Sequence, residues 1–281
     1  MRSKVILDKV AATAAGLLLA CAASATVVDL TDPGTVDSGT INGAIYEWMD
    51  AQATGTGVID SFVRVDDNTG TSDGYNTTVN DVLDNLSDDT HNHEITLGDV
   101  PIVTIDGIEY RQFLLDINEN TGNESEFLSL DEVQLFTSSI ANQSVETFTG
   151  GIVDIASASL VYDMDALEDS YVYLDYSLNH GSGTGDMFLY VPSALFGNDD
   201  SAYVYLYSAF GYTNGPVIPP DRGNGPGTET APFGSEEAGF EEWAVLEATP
   251  REIVPEPATI VLLGLGIAGA AIRKFGKREK V

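Results

Sequence analysis

Five side chains that can offer oxygen ligands lie close together in the segment LDINENTGNESEF; they are Asp116, Asn118, Asn120, Glu124 and Glu126. The first three alternate along the chain, as do positions one, three and five of a loop that presents oxygens to a single calcium ion. Calcium takes its ligands from carboxylates, amide oxygens and backbone carbonyls. The spacing therefore predicts a Ca²⁺ site, and the alternative is an acidic connection between two strands.

The segment departs from an EF-hand loop at two positions. Thr121 stands where that loop has its invariant glycine, and Phe127 stands where it has its closing glutamate. The sequence pattern also lacks the two helices that flank an EF-hand loop. An EF-hand is therefore not expected.

Two histidines offer a second, weaker metal hypothesis. His91 and His93 would place two imidazoles on one face of a strand, with Glu94 beside them. The segment is short and polar and contains no further ligands at a regular spacing. A surface loop is the favoured interpretation.

Carboxylates are numerous enough to raise the question of glycoside hydrolysis. The candidates are Asp175, Asp186, Glu241 and Glu242. That reaction needs two carboxyl groups at a fixed separation across a cleft, with pKa values that the environment pushes apart. Nothing in the sequence pairs these residues, so we expect a protein that is not an enzyme.

Aromatic side chains could supply a carbohydrate-binding surface instead. Tyr203, Tyr205 and Tyr207 share one face of a predicted strand, and Trp48 and Trp243 are further candidates. Exposed aromatic rings stack on sugars, but tyrosines more often pack in a core with the hydroxyl at its rim. We favour the core for the tyrosine ladder.

The charge of the chain excludes several functions. Residues 26–254 contain four arginines and neither lysine nor cysteine. Of the 44 Asp and Glu residues, Asp8, Glu256 and Glu279 lie outside this range, which leaves 41 and a formal net charge of −37. A Schiff-base lysine, a phosphate-loop lysine and a thiolate nucleophile are excluded, and nucleic acid would be repelled. The negative field suits cations, or it keeps an exported protein soluble.

Short apolar or alternating runs, separated by Gly, Asp, Asn, Ser and Thr, predict strands. The nine runs are Ala44–Met49, Val58–Val65, Ile102–Ile105, Arg111–Ile117, Phe127–Phe136, Tyr171–Leu178, Met187–Val191, Ala202–Phe210 and Phe240–Leu246. The alternation slips at Asp131 and Glu132, which predicts a bulge or tight turn there. The fold class is therefore mainly all-β, an antiparallel β-sandwich or jelly roll with long loops.

The first 25 residues have the order of a secretory signal peptide. Three basic residues come first, the apolar run Val10–Cys21 follows, and the small residues Ala23 and Ala25 precede Thr26. We predict an N-terminal signal helix that is cleaved after Ala25. The alternatives are a buried first helix and lipidation of the cysteine.

The C-terminal end has three parts in order. The motif Val254, Pro255, Glu256 and Pro257 comes first, and the apolar run Ala258–Ile272 follows. The basic cluster is Arg273, Lys274, Lys277, Arg278 and Lys280. The fifteen apolar residues reach about 22 Å as a helix, against roughly 30 Å of hydrocarbon. A marginal transmembrane helix with a cytoplasmic C-terminus is expected.

This order closely resembles the PEP-CTERM sorting signal of bacterial exported proteins. The resemblance implies that an exosortase, a membrane cysteine protease, cleaves near Pro255–Pro257 and transfers the protein to the cell surface or surrounding matrix. Sequence segments within residues 26–254, such as FLLDINE and GSGTGDMFLYVPSALF, also resemble a recurrent group of such proteins. This similarity implies only the location of the protein and a β fold.

These features divide the chain into a signal peptide (1–25), an extracellular β-sandwich domain (26–248), a linker (249–253) and a sorting signal (254–281), the last comprising motif 254–257, transmembrane helix 258–272 and basic tail 273–281. We expect export through the Sec translocon, a transient hold in the inner membrane, and a structural or adhesive role in a biofilm matrix, with extracellular polysaccharide as a partner. A glycan-binding surface module is the alternative, and a secreted carboxylate hydrolase is a third hypothesis.

Overall fold

The computed structural model describes residues 26–49, 59–66, 70–120, 126–179, 185–211 and 239–246. The predicted signal helix, the predicted linker and the whole sorting signal lie outside the described residues, as does Glu124. No helix among the described residues has the length and apolarity that a membrane crossing requires.

The described elements are strands and three single-turn 3-10 helices. The strands are β1 (Val27–Asp29), β2 (Ser38–Ile41), β3 (Ala44–Trp48), β4 (Ile59–Val65), β5 (Ser72–Tyr75), β6 (Ile95–Thr96), β7 (Ile102–Ile105), β8 (Ile108–Asp116), β9 (Phe127–Ser138), β10 (Phe148–Thr149), β11 (Ile152–Val153), β12 (Ala158–Asp163), β13 (Tyr171–Asp175), β14 (Met187–Pro192), β15 (Tyr203–Phe210) and β16 (Glu241–Leu246). The 3-10 helices are Leu97–Asp99, Tyr176–Leu178 and Ser193–Leu195. The predicted all-β class is confirmed.

All nine predicted runs coincide with strands, and one of them ends early. The run Tyr171–Leu178 is a strand only as far as Asp175. The Asp175 side chain accepts a hydrogen bond from the Ser177 backbone N–H and caps the 3-10 helix that follows. A local side-chain bond of this kind competes with continued strand pairing.

Two of the hairpins depend on dipeptides that tolerate a left-handed backbone. Asn42 and Gly43 have φ of 47° and 87°, and they join β2 to β3. Asp106 and Gly107 have φ of 51° and 82°, and they join β7 to β8. Two-residue hairpin loops with positive φ at both positions match the twist of the flanking strands. The two dipeptides therefore fix the register of these pairs.

The strands form two seven-stranded sheets and one small hairpin. The first sheet has the order β1-β13-β9-β15-β5, with β12 also paired to β9 and β6 to β15. The second sheet has the order β2-β3-β14-β8-β16-β4, with β7 paired to β8, while β10 pairs only with β11. Pairing is antiparallel except between β1 and β13, which run parallel. Consecutive strands cross repeatedly between the sheets, as from β13 to β14 to β15 to β16.

The two sheets share one apolar core, which we call the main core. Its members include Val204 and Leu206 from β15, Phe113 and Leu115 from β8, and Trp243 from β16. The Trp243 indole N–H donates to Ser208 Oγ of the facing sheet at 3.0 Å. Side chains that alternate along each strand therefore meet across two layers, as in a β-sandwich.

The first sheet is also buried on its outer face. Tyr205 and Tyr207 point away from the main core and pack with Tyr75 and Phe136 in a second cluster, which we call the outer core. Tyr205 is 0% exposed and Tyr207 is 7% exposed, while Tyr203 is half-buried against the same cluster. The core interpretation of the tyrosine ladder is confirmed.

The predicted irregularity in β9 is a β-bulge. Ala209 of β15 lies opposite Glu132, and the next residue, Phe210, lies opposite Leu130, so Asp131 is the extra residue. The bulge lets Leu130 and Val133 both enter the main core, each at 0% exposure. The prediction of a bulge at Asp131 and Glu132 is confirmed.

Glu132, in the bulge, is half-buried. Loss of water around its carboxyl raises the pKa of Glu132 to about 9, and the negative charges of Asp165 and Asp163 add to the rise. Burial likewise raises the pKa of Asp165 to about 6. At a pH between the unfolded-state and folded-state pKa values, the carboxyl groups of Glu132 and Asp165 are therefore protonated in the folded protein and ionised in the unfolded chain.

Removing the ionisable group at Glu132 should stabilise the protein in alkaline solution. Because the folded state binds more protons, the free energy of unfolding should fall as pH rises from about 4.5 towards 9. We expect Glu132→Gln to add roughly 1–3 kcal/mol at pH near 8 and little near pH 4. Urea unfolding at both pH values measures the difference. Glu146→Gln, at an exposed position, is the control, and an equal effect of both variants would contradict the assignment.

The main core should be the larger source of stability. Leu206 is 0% exposed and Leu167 is 79% exposed, so the pair gives a matched comparison. We expect Leu206→Ala to lower the free energy of unfolding by about 2–4 kcal/mol, because it removes buried methyl groups and leaves a cavity. Leu167→Ala should change it by less than about 0.5 kcal/mol. Equal values in denaturant titrations would contradict the shared core.

Candidate functional site

The ends of three strands bring acidic side chains together at one end of the second sheet. Asp116 closes β8 and lies opposite Glu242 of β16. Asp186 immediately precedes β14, and its backbone N–H donates to the carbonyl of Leu115 at 2.8 Å. Asp116 is 0% exposed, Asp186 is 3% exposed and Glu242 is 4% exposed. Residues far apart in sequence therefore form a buried acidic group.

The carboxyl group of Asp186 is held against the end of β8. Its Oδ2 accepts a hydrogen bond from the backbone N–H of Ile117 at 2.8 Å. Its Oδ1 is buried and has no hydrogen-bond partner among the described residues. Burial raises the pKa of Asp186 well above the usual range, and the charges of Asp116 and Asp175 add to the rise. An ionised Asp186 would therefore need compensation by positive charge.

The neighbouring glutamates have partners of their own. Glu241 Oε2 accepts a hydrogen bond from the backbone N–H of Asn118 at 3.2 Å. Glu242 Oε1 accepts from Arg64 Nη2 at 2.9 Å and from the Ser61 hydroxyl. These contacts tie β16 to β4 and to the segment that follows β8.

Among the described residues, positive charge at neutral pH comes from arginine. The described residues include two arginines and no lysine. Arg64 also contacts Asp88 at 3.4 Å and lies over the Phe240 ring, 4.0 Å from its centroid. Arg111 donates to the carbonyls of Leu97 and Val100. Arg64 pairs with Asp88 and Glu242, and Arg111 pairs with Asp200.

Of the five predicted calcium ligands, Glu124 lies outside the described residues, and the other four differ in burial. Asp116 is buried beside Asp186, whereas Asn120 is exposed and Asn118 is half-buried. The Asn118 side-chain amide donates to the carbonyl of Phe240 at 3.1 Å. Glu126 is half-buried, and its carbonyl accepts from Tyr176. Among the described residues, no group of three or more His, Cys, Asp or Glu side chains could hold a metal ion, and the calcium site stays a prediction.

The four residues considered for hydrolysis are all buried. Asp175, Asp186, Glu241 and Glu242 are between 0% and 4% exposed. Sequence reasoning named them but could not place Asp186 beside Asp116. The sequence does show that each of these two aspartates adjoins a strongly apolar strand. Asp116 follows QFLL, and Asp186 precedes MFLYV.

The histidine segment is occupied by local contacts. His91 Nδ1 lies 2.5 Å from Asp88 Oδ2, which also pairs with Arg64. Glu94 accepts from the backbone N–H of Asn142 at 2.7 Å and from the Thr78 hydroxyl. Glu94, which follows the two histidines in sequence, therefore holds the segment around Asn142 in place.

The remaining site predictions fall on the two ends of the chain. Ala23 and Ala25 of the signal cleavage site lie outside the described residues, and so do the sorting motif and the basic cluster.

Comparison with known proteins bears on the C-terminal end. Residues 254–278 match the family described as the PEP-CTERM protein-sorting motif. No curated protein and no solved structure matches the chain. The match confirms the resemblance that the sequence carried, and it supports an exported protein that an exosortase sorts. The chain carries a PEP-CTERM protein-sorting motif at residues 254–278.

Proposed function

We propose that the chain is a structural or adhesive component of the cell surface or the extracellular polysaccharide matrix of a biofilm. In this proposal the Sec translocon exports it, and the apolar segment 258–272 holds it briefly in the inner membrane. An exosortase then cleaves near Pro255–Pro257. The observation that carries the proposal is the sorting motif at residues 254–278.

The body of the chain is proposed to act without catalysis. Residues 26–248 are its exported domain, and 249–253 link it to the sorting signal. The four carboxylates considered for hydrolysis are at most 4% exposed, which supports a structural function because a substrate must reach its catalytic groups. The net charge of −37 between residues 26 and 254 keeps such a protein dispersed until it meets its matrix.

Three of the five aromatic candidates for a glycan-binding surface are buried, while Trp48 and Tyr203 are half-buried. A stacking surface requires exposed rings. Trp243 and Tyr205 are 0% exposed, and Tyr207 is 7% exposed. Association with polysaccharide through these aromatic residues is therefore not proposed.

The basic cluster should be required for processing. Deletion of residues 273–280 removes the positive charges that retain the C-terminus on the cytoplasmic side. In a host with an exosortase, we expect the deleted form to lose most of the surface-exposed product, as measured by cell fractionation and immunoblotting. The matched control exchanges Arg and Lys within the cluster, which keeps the charge and should preserve processing.

Two outcomes would contradict the sorting account. One is normal processing of the deleted form. The other is a wild-type protein that remains stably embedded at full length in the membrane fraction. Replacement of Pro255 and Pro257 by alanine, with the basic cluster intact, separates recognition of the motif from retention by charge.

The matrix role needs its own measurement. A host that lacks the chain should form a biofilm that is weaker or releases more polysaccharide on washing. The wild-type chain should restore it, and a form without residues 254–281 should not, because it would be exported without being sorted. Equal biofilms in all three strains would contradict the matrix role while leaving the sorting account intact.

A further inference from the structure

We propose that removal of the signal peptide creates an ion pair between the new α-ammonium group of Thr26 and the carboxylate of Glu168, and that this pair fastens β1 to the first sheet. The inference rests on the proposed export of the chain, because it needs cleavage after Ala25. It adds a consequence of that cleavage for the folded domain.

Thr26 and Glu168 meet in the fold. The Thr26 hydroxyl donates to Glu168 Oε1, although the two residues are 142 positions apart in sequence. The backbone N–H of Tyr171 donates to the Thr26 carbonyl at 3.1 Å, which anchors Thr26 at the start of β13. The backbone nitrogen and the hydroxyl oxygen of a threonine are carried by neighbouring carbon atoms. The nitrogen of Thr26 therefore lies beside the same carboxylate.

The element that this contact holds is β1. It is three residues long and pairs in parallel with β13, beginning with Val27 opposite Tyr171. Its central residue, Val28, is 4% exposed and belongs to the main core. A Cβ atom on Gly39 of β2 would lie 2.5 Å from the Val28 side chain, so β2 comes close to β1 there. Thus β1 lies where the end strands of the two sheets meet.

A short first strand needs an anchor. The first residues of a domain fray unless they are tied down, and a parallel pair is slightly less stable per residue than an antiparallel one. The predicted cleavage after Ala25 leaves a single residue, Thr26, before β1. Cleavage therefore places the new terminus at the point where β1 is anchored.

Cleavage also changes the charge at this point. Before cleavage the Thr26 nitrogen belongs to a neutral amide, and afterwards it is an amine whose ordinary pKa is about 7.7–8.0. The described residues include two arginines and no lysine. Residues 26–254 have a formal net charge of −37, so the added positive charge enters a negative field. An ammonium ion at Thr26 is therefore favoured by Glu168 and by the domain as a whole.

The competing arrangement is a hydroxyl contact alone. In that case the Thr26 side chain would hold β1 equally well before and after cleavage. Two changes separate the arrangements, because each removes one charge and keeps the hydroxyl contact. Acetylation neutralises the α-amino group, and Glu168→Gln keeps an oxygen that accepts from the hydroxyl.

The test uses the processed chain released from the surface of an exosortase-bearing host. Residues 26–254 contain no lysine, so an acetylating reagent modifies the α-amino group of this part of the chain, and peptide mass spectrometry locates the acetyl group at Thr26. At pH 7, acetylation should lower the wild-type Tm by about 1–3 °C, the scale of one partly exposed ion pair in a domain of this size. In Glu168→Gln the same treatment should shift the Tm by less than about 0.5 °C.

The reactivity of the amine gives a second readout. An ion pair retains the protonated amine, which does not react. We expect acetylation of Thr26 at pH 7 to be about twofold to tenfold slower in the wild-type chain than in Glu168→Gln. The control is Asp169→Asn, which removes an equal charge at the next, exposed position and should keep most of both wild-type responses.

The ion pair is overturned if acetylation leaves the wild-type Tm unchanged or lowers the Tm of the wild-type chain and of Glu168→Gln equally. It is also overturned if Asp169→Asn abolishes the response as fully as Glu168→Gln, or if the exported chain begins at a residue other than Thr26. A chain that stays in the cell with residues 1–25 attached contradicts the proposed export and the ion pair together. An exported chain that begins at Thr26 and shows no effect of Glu168 overturns the ion pair alone.

Discussion

The packing of two sheets on one apolar core determines where every other described side chain can lie. Trp243 from the second sheet reaches Ser208 of the first, and Tyr46 reaches Tyr162 across the same interface with their hydroxyl oxygens 2.9 Å apart. Because neighbouring side chains of a strand point to opposite faces, each residue that enters this core sends the next one outward. The outer positions of the first sheet are occupied by the tyrosine ladder, and the last outer position of β8 is occupied by Asp116.

The domain contains few basic side chains, so the positions of its acidic side chains affect its stability. Most carboxylates are expected at the surface, where water solvates them, but several lie at the ends of strands that also carry core residues. Glu132 retains a proton to high pH, and Glu242 has Arg64. Burial raises the pKa of Asp186 well above its usual range. The folding of the domain is thus coupled to pH.

The sequence was sufficient to predict nine strands, among them β8, β9, β15 and β16 of the main core, and the bulge in β9, because each has a long apolar or alternating pattern. It did not predict β1, β6, β10, β11 and β12. It also did not predict the short strands β2 and β5, whose sequences SGTI and SDGY have little intrinsic strand preference. Their pairing comes from neighbours, since β3 fixes β2 through a two-residue turn and β15 supports β5. The acidic site was only half predictable. Asp116 was visible from its local spacing, whereas Asp186 joins it through the pairing of β14 with β8, which no local pattern encodes.

Location is the part of the function with the firmest support, since the sorting motif at residues 254–278 is matched independently of the fold. The central claim is that an exosortase recognises the C-terminal sorting signal and then removes it. Intact mass measurement of the protein released from the surface of an exosortase-bearing host tests it most directly. The account predicts a species that begins at Thr26 and ends near Pro255–Pro257. A surface species whose mass includes residues 258–281 would contradict it.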